Sequence, residues 1–290
     1  MIRPLSPAEL FPAGQPNITT RYVELSTGVT LRVVESGPAD GKPVVMFHGW
    51  GASAYMYRHA LDLLPRRGLR AIAVDLRGYG LSDKPGHVGA YTLDAYCADV
   101  HALLATLGLS RVALVGQSMG GGLALRYSLR SPERVSRLVL VNPVGLVSIA
   151  YLHVLQIVPR SFFAAMGGRL VPRAVVEFIL RYVAYGDPRL PTERDVDEYW
   201  APTQLSGFMN AARAALSEFD WRPLTNGESE SLTVPTAVIL GTKDRLIRNA
   251  GPAARRLPGT AVHDVVGGHC VLEEDPATVY DIVGDFLAAE

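Results

Sequence analysis

The sequence predicts an α/β architecture: a mostly parallel central sheet with helices on both faces, interrupted by an inserted helical cap. Three observations carry this. Short apolar runs rich in Val, Ile and Leu recur at 44–47, 71–75, 112–115, 135–141, 234–240 and 261–266. Helical patterns at 55–65, 93–107, 119–130, 250–257 and 277–288 alternate with them, as strands buried on both faces by crossover helices require. The alternation fails between 145 and 225. That stretch is rich in Phe, Tyr, Leu and Met and is punctuated by Pro159, Pro172, Pro188, Pro191 and Pro202.

Taken in order, residues 1–20 form a Pro/Gly-rich leader, 21–144 and 226–290 the α/β core, and 145–225 the cap. The core opens on a hairpin, 21–25 and 29–36, around Ser26-Thr27-Gly28. Of the 290 residues, 48% are hydrophobic and 19% charged, enough to bury a large core and unlike a disordered chain. Twenty-eight basic residues balance twenty-eight acidic ones, so no electrostatic footprint for nucleic acid or an anionic membrane is present. Cys97 and Cys270 are the two cysteines, and their spacing suggests neither a disulfide framework nor a metal site. The first residues lack the apolar run of a signal peptide. His153, Gln156, Pro159 and Arg160 interrupt the apolar stretch 144–166, which argues against a spanning helix. The expectation is a cytoplasmic protein with a small-molecule substrate, no nucleic-acid partner and no stable membrane insertion, its oligomeric state open.

The strongest local signal is Gly116-Gln117-Ser118-Met119-Gly120, directly after the strand at 112–115 and before a helix. A G-x-S-x-G elbow needs this strand–turn–helix setting. It holds the serine in a strained turn and presents its hydroxyl at the C-terminal edge of the sheet. Ser118 is therefore the candidate nucleophile. Chain order then selects its partners, since the acid and then the histidine follow the nucleophile. His48, His59, His87, His101 and His153 come too early, and His263 lies inside the last strand. His269 follows that strand through Gly267-Gly268 and is the candidate base. The penultimate strand leads into Thr242-Lys243-Asp244, which makes Asp244 the acid that orients the ring. The preceding strand ends at Asn142, which carries no charge. If Asp244 were lost, a carboxylate placed at 142 is expected to orient His269 from the other side.

A developing oxyanion needs donors. The main-chain N–H of Met119 is one, and that of Trp50, in His48-Gly49-Trp50-Gly51 after the strand at 44–47, is the expected second. Gly49 and Gln117 are expected to line the substrate site. His48 is read as ordering this loop. The same loop carries a rival. Gly49-Trp50-Gly51-Ala52-Ser53-Ala54 fits the G-x-G-x-x-A pattern of a dinucleotide-binding protein, with Asp75 as the ribose ligand. Two strands precede it, Asp75 lies too far on, and it leaves Ser118, Asp244 and His269 unexplained.

Together with Asp75-Leu76-Arg77-Gly78-Tyr79-Gly80-Leu81-Ser82-Asp83, these motifs resemble the capped α/β-hydrolases, from about Tyr22 onward. The resemblance implies the α/β-hydrolase fold and, because Ser118 stands where related haloalkane dehalogenases and epoxide hydrolases use aspartate, its serine-nucleophile, esterase-like branch. It implies attack on an ester, thioester or lactone of a small, largely hydrophobic substrate, with no cofactor and no metal. Carbon–carbon hydrolysis, acyl transfer and perhydrolysis use the same triad. Carbon–carbon hydrolases often carry tryptophan directly after the base, where this chain has Cys270. The stretch 145–225 is expected to choose the substrate, and exchanging it is expected to leave the triad intact. Asp75, Arg77 and Asp83 are read as a structural polar network.

Overall fold

In a computed structural model, residues 3–149, 152 and 171–289 are described. Eight strands form one sheet in the order β1-β2-β4-β3-β5-β6-β7-β8. They are β1 (Ile18–Glu24), β2 (Thr30–Ser36), β3 (Lys42–Phe47), β4 (Leu69–Val74), β5 (Val112–Gln117), β6 (Val135–Val141), β7 (Thr236–Gly241) and β8 (Ala261–Val265). The pairs β1–β2 and β2–β4 are antiparallel; all pairs from β4 through β3 and β5 to β8 are parallel.

Successive side chains of a strand face opposite sides. Along β3, Val45 and Phe47 enter one core with Leu103 and Leu123, while Val44 and Met46 enter the other with Leu61 and Val279. Both faces are therefore dry, which is why these strands read as unbroken apolar runs.

The helices are α1 (Ala60–Leu63), α2 (Leu93–Thr106), α3 (Ser118–Arg130), α4 (Arg173–Ile179), α5 (Glu193–Trp200), α6 (Phe208–Glu218), α7 (Asn226–Glu230), α8 (Gly251–Ala254), α9 (Val271–Glu274) and α10 (Pro276–Ala288). The helix predicted over 55–65 is broken. A 3₁₀ turn, Ala54–Tyr57, precedes α1, and a second, Pro65–Arg67, ends at Gly68 with φ 74°. Pro65 has no N–H to continue α1, and Gly68 takes the left-handed turn that ends the segment. The helix predicted over 250–257 shrinks to α8. The seventh strand starts at Thr236 because Pro235 has no N–H for the ladder.

Helices α4, α5 and α6 lie between β6 and β7, and no strand occurs there among the described residues. A π turn, Leu180–Ala184, extends α4; Thr192 and Asp195 close a capping box on α5. Most of 144–166 lies outside the described residues. Among the described residues, no helix is long and apolar enough to cross a membrane. The leader is shorter than expected, since β1 begins at Ile18, and it is tied down. Leu10 and Phe11 are buried, and the Phe11 N–H donates to Glu198 of α5 at 2.8 Å.

Candidate active site

The C-terminal ends of β3, β5, β6, β7 and β8 converge at one edge of the sheet, and the candidate residues sit in the turns that leave them. β5 ends at Gln117 and α3 begins at Ser118, whose φ is +51°. A side-chain-bearing residue in this region costs about 1–3 kcal/mol and persists only where its surroundings impose it. Here they do. Gly120 packs so closely that a Cβ would lie 2.1 Å from the Phe47 carbonyl oxygen, and the Ser118 carbonyl accepts the Val144 N–H at 3.1 Å.

β7 leads into a turn that carries Asp244. One carboxylate oxygen accepts the N–H groups of Leu246 and Ile247, at 2.7 and 3.0 Å. The other accepts His269 Nδ1–H at 2.8 Å. An ionised carboxylate only accepts, so this pairing puts the ring proton on Nδ1 and leaves Nε2 as an acceptor. The pair is largely withdrawn from water, with 2% and 10% of the Asp244 and His269 side chains exposed.

The structure thus joins Asp244 to His269 and brings Ser118 to the same edge. No hydrogen bond joins the Ser118 hydroxyl to the imidazole among the described residues. Side chains next to the elbow and at the end of β6 nonetheless hold the His269 loop. Gln117 Nε2 donates to the His269 carbonyl at 3.0 Å. Asn142 Nδ2 donates to the carbonyls of Gly268 and His269, both at 3.1 Å, while its Oδ1 accepts the Gly241 N–H at 2.8 Å.

These bonds bear on two expectations. Gln117 is only 1% exposed and its Nε2 is committed to the His269 loop, while its Oε1 has no hydrogen-bond partner among the described residues. Asn142 is no vacant acid position, because both ends of its amide are engaged and a carboxylate would oppose two carbonyl oxygens.

Gly49 lies against the elbow, where a Cβ would sit 3.1 Å from Ser118 Cβ. The neighbouring Trp50 N–H makes no hydrogen bond among the described residues, and Met119 is the second residue of α3, whose first N–H groups have no partner within the helix. Both donors are therefore free to turn to a ligand. The Trp50 indole Nε1–H donates to the Ala212 carbonyl of α6 at 2.8 Å.

His48 is buried. Its Nδ1 donates to the Gly49 carbonyl at 2.7 Å and its Nε2 accepts the Leu76 N–H at 3.0 Å. Burial pushes its pKa down, which favours the neutral ring this bonding needs. Cys270 is buried too, and burial pushes its thiol well above the usual range.

The dinucleotide reading fails on Asp75. It is fully buried, and its carboxylate already accepts Ala54 N–H, Leu81 N–H and Arg32 at 2.6, 2.8 and 3.1 Å, leaving no access for a ribose. The supposed phosphate-binding helix is only a 3₁₀ turn capped by Ser53. Arg77 pairs with Asp99, and Asp83 accepts the Thr30 N–H at 2.7 Å, so these residues serve separate structural links rather than one network. A cleft of about 1020 Å³ opens between the leader and α1, lined by Phe11, Tyr55, Arg58, His59 and Arg66 among others. None of Ser118, Asp244 or His269 lines it.

A family model described as the alpha/beta hydrolase fold matches residues 42–276. The chain belongs to this family. An uncharacterised protein of Mycobacterium tuberculosis is 31% identical over 282 residues, covering 89% of this chain and 77% of its own. Among solved structures, the epoxide hydrolase CorEH superposes with a TM-score of 0.81 at 24% identity, over 93% of this chain and 99% of its own. The enol-lactonase from Burkholderia xenovorans LB400 gives 0.78 at 22%, over 93% and 100%. These two likenesses establish the fold.

Proposed function

We propose that this chain is a serine hydrolase that cleaves an ester, thioester or lactone of a small, largely hydrophobic substrate through an acyl-enzyme. The observation that carries the reading is Ser118 held at φ +51° between strand and helix, on the sheet edge that also carries an imidazole whose Nδ1 is fixed by Asp244. In this reading His269 Nε2 takes the Ser118 proton as the hydroxyl attacks the carbonyl carbon. The N–H groups of Trp50 and Met119 receive the oxyanion. Collapse of the tetrahedral intermediate breaks the bond to the leaving group, which takes the proton from His269. Water, deprotonated by the same nitrogen, then releases the acid and restores Ser118.

In this reading the inserted helices act as the cap that limits access to Ser118 and His269, each 8% exposed. The enol-lactonase named above makes lactones a natural first substrate class. A panel of p-nitrophenyl esters and lactones, run with the wild type and Ser118→Ala, tests the proposal. Turnover of at least one class that disappears with the serine is the expected result; equal turnover by both proteins would refute it.

A further inference from the structure

The main chain of His269 is held from two sides. Its carbonyl is held by the core, through Gln117 and Asn142. Its N–H is held by the inserted helices. The His269 N–H donates to the Ala184 carbonyl at 2.7 Å, and the Cys270 N–H reaches the same oxygen at 3.3 Å. Ala184 ends the π turn after α4, so its carbonyl is free to accept bonds from outside the helix.

One carboxylate spans the same junction. Glu274 accepts the Gly268 N–H at 2.7 Å with one oxygen and the Gly186 N–H at 2.8 Å with the other. The two backbones abut so tightly that neither glycine has room for a side chain. A Cβ on Gly268 would lie 2.3 Å from Gly186 N, and one on Gly186 would lie 2.7 Å from Gly268 N. The next residue back repeats the pattern. Glu273, buried, accepts the Tyr199 hydroxyl of α5 at 2.6 Å and pairs with Arg58, whose guanidinium also lies 2.9 Å from Asp195 of α5.

We infer that this junction is a positioning device: the segment 184–186 and the Glu274 carboxylate hold the His269 loop, so the seating of the inserted helices sets the orientation of the ring. The inference rests on His269 acting as the base in the reading above. Glu274 is a positioning residue, since it touches only the backbone that carries the base. The inserted helices are then part of the machinery as well as a roof. Exchanging 145–225 wholesale replaces the backbone that presents the Ala184 carbonyl to His269 and the Gly186 N–H to Glu274. Such an exchange is then expected to spare the triad only where the new insertion presents an acceptor and a donor at the same two places.

The test uses Gly186→Ala, Glu274→Ala and Glu274→Gln in the full chain, with Phe178→Ala on the exposed side of α4 as a control. Hydrolysis of p-nitrophenyl acetate and the labelling rate of Ser118 by a small fluorophosphonate are measured, and circular dichroism reports folding. A displacement of the base by about 1 Å costs on the order of a hundred-fold in rate. We expect Gly186→Ala and Glu274→Ala to lower kcat and the labelling rate together by about ten- to a hundred-fold, with KM changed little. Glu274→Gln, which keeps one acceptor and the shape, should fall between Glu274→Ala and wild type. Phe178→Ala should change neither rate. Folded Gly186→Ala and Glu274→Gln proteins that label and turn over like the wild type would overturn the inference, as would a change confined to KM. Absence of Ser118 labelling in the wild type would instead refute the serine reading beneath it.

Discussion

Two halves of the candidate site are built differently. Ser118 and Asp244 are held by the sheet and its own turns: the elbow packs on Phe47, and the Asp244 carboxylate is aimed by the N–H groups of Leu246 and Ile247. His269 and Trp50 are held partly by the inserted helices, through the carbonyls of Ala184 and Ala212. The first half takes its own hydrogen bonds from the core, although Arg245, next to Asp244, reaches the Tyr182 carbonyl of the insertion. The second, which in the proposed reading holds the base and one oxyanion donor, also leans on the insertion. A site divided this way ties the two groups that manage proton and charge to the element that would admit the substrate.

The largest expected effect lies in the core-held half. Ser118→Ala should remove turnover by a large part of the roughly million-fold that loss of such a nucleophile costs in a serine protease. The fold should remain, since alanine relieves no contact that the helix needs. Circular dichroism beside esterase kinetics checks both. Asp244→Asn should cost about ten-thousand-fold, because an amide stabilises the wrong tautomer of His269. Adding Asn142→Asp should restore nothing, the reverse of what the sequence alone led us to expect. The Asn142 amide faces two carbonyls and not the ring. A recovered rate in the double variant would show that the acid can be moved along the sheet edge.

That reversal marks where the sequence stops being informative. The fold was legible because buried parallel strands leave continuous apolar runs. Ser118, Asp244 and His269 stood out because their residue types sit in fixed order after particular strands. Asn142, Gln117 and Glu274 were not legible as supports. Their partners are main-chain groups of Gly268, His269 and Gly186, and a backbone amide leaves no residue-type signature. Asn142 did carry a weak signal, since asparagine tolerates the left-handed conformation it adopts, φ +41°. The break within 55–65 falls between Tyr57 and Ala60, at Arg58-His59, where no Pro or Gly marks it, so the apolar pattern alone could not show it.

Smaller effects separate the two ways of holding His269. Asn142→Ala deletes three hydrogen bonds on the core side, each worth about 0.5–1.5 kcal/mol, and should lower kcat by about ten-fold while reducing the melting temperature. An unchanged kcat would leave the insertion as the main support of the base. The smallest effect concerns His48. Its pKa is held down in the folded state by burial, so the unfolded chain takes up the proton first as pH falls through the ordinary histidine range of about 6.5. Stability attributable to this ring is therefore present above that range and lost on acidification below it. Chemical denaturation at a series of pH values, wild type against His48→Gln, should show a shallower acid decline in the variant. Identical slopes would mean that His48 is not held neutral.

The measurement that bears most directly on the central claim is intact-protein and peptide mass spectrometry after reaction with a fluorophosphonate. The account predicts one covalent adduct per chain, on the peptide carrying Ser118, formed far more slowly in Asp244→Asn and absent in Ser118→Ala. An unmodified wild-type chain, or an adduct that persists in Ser118→Ala, would contradict it.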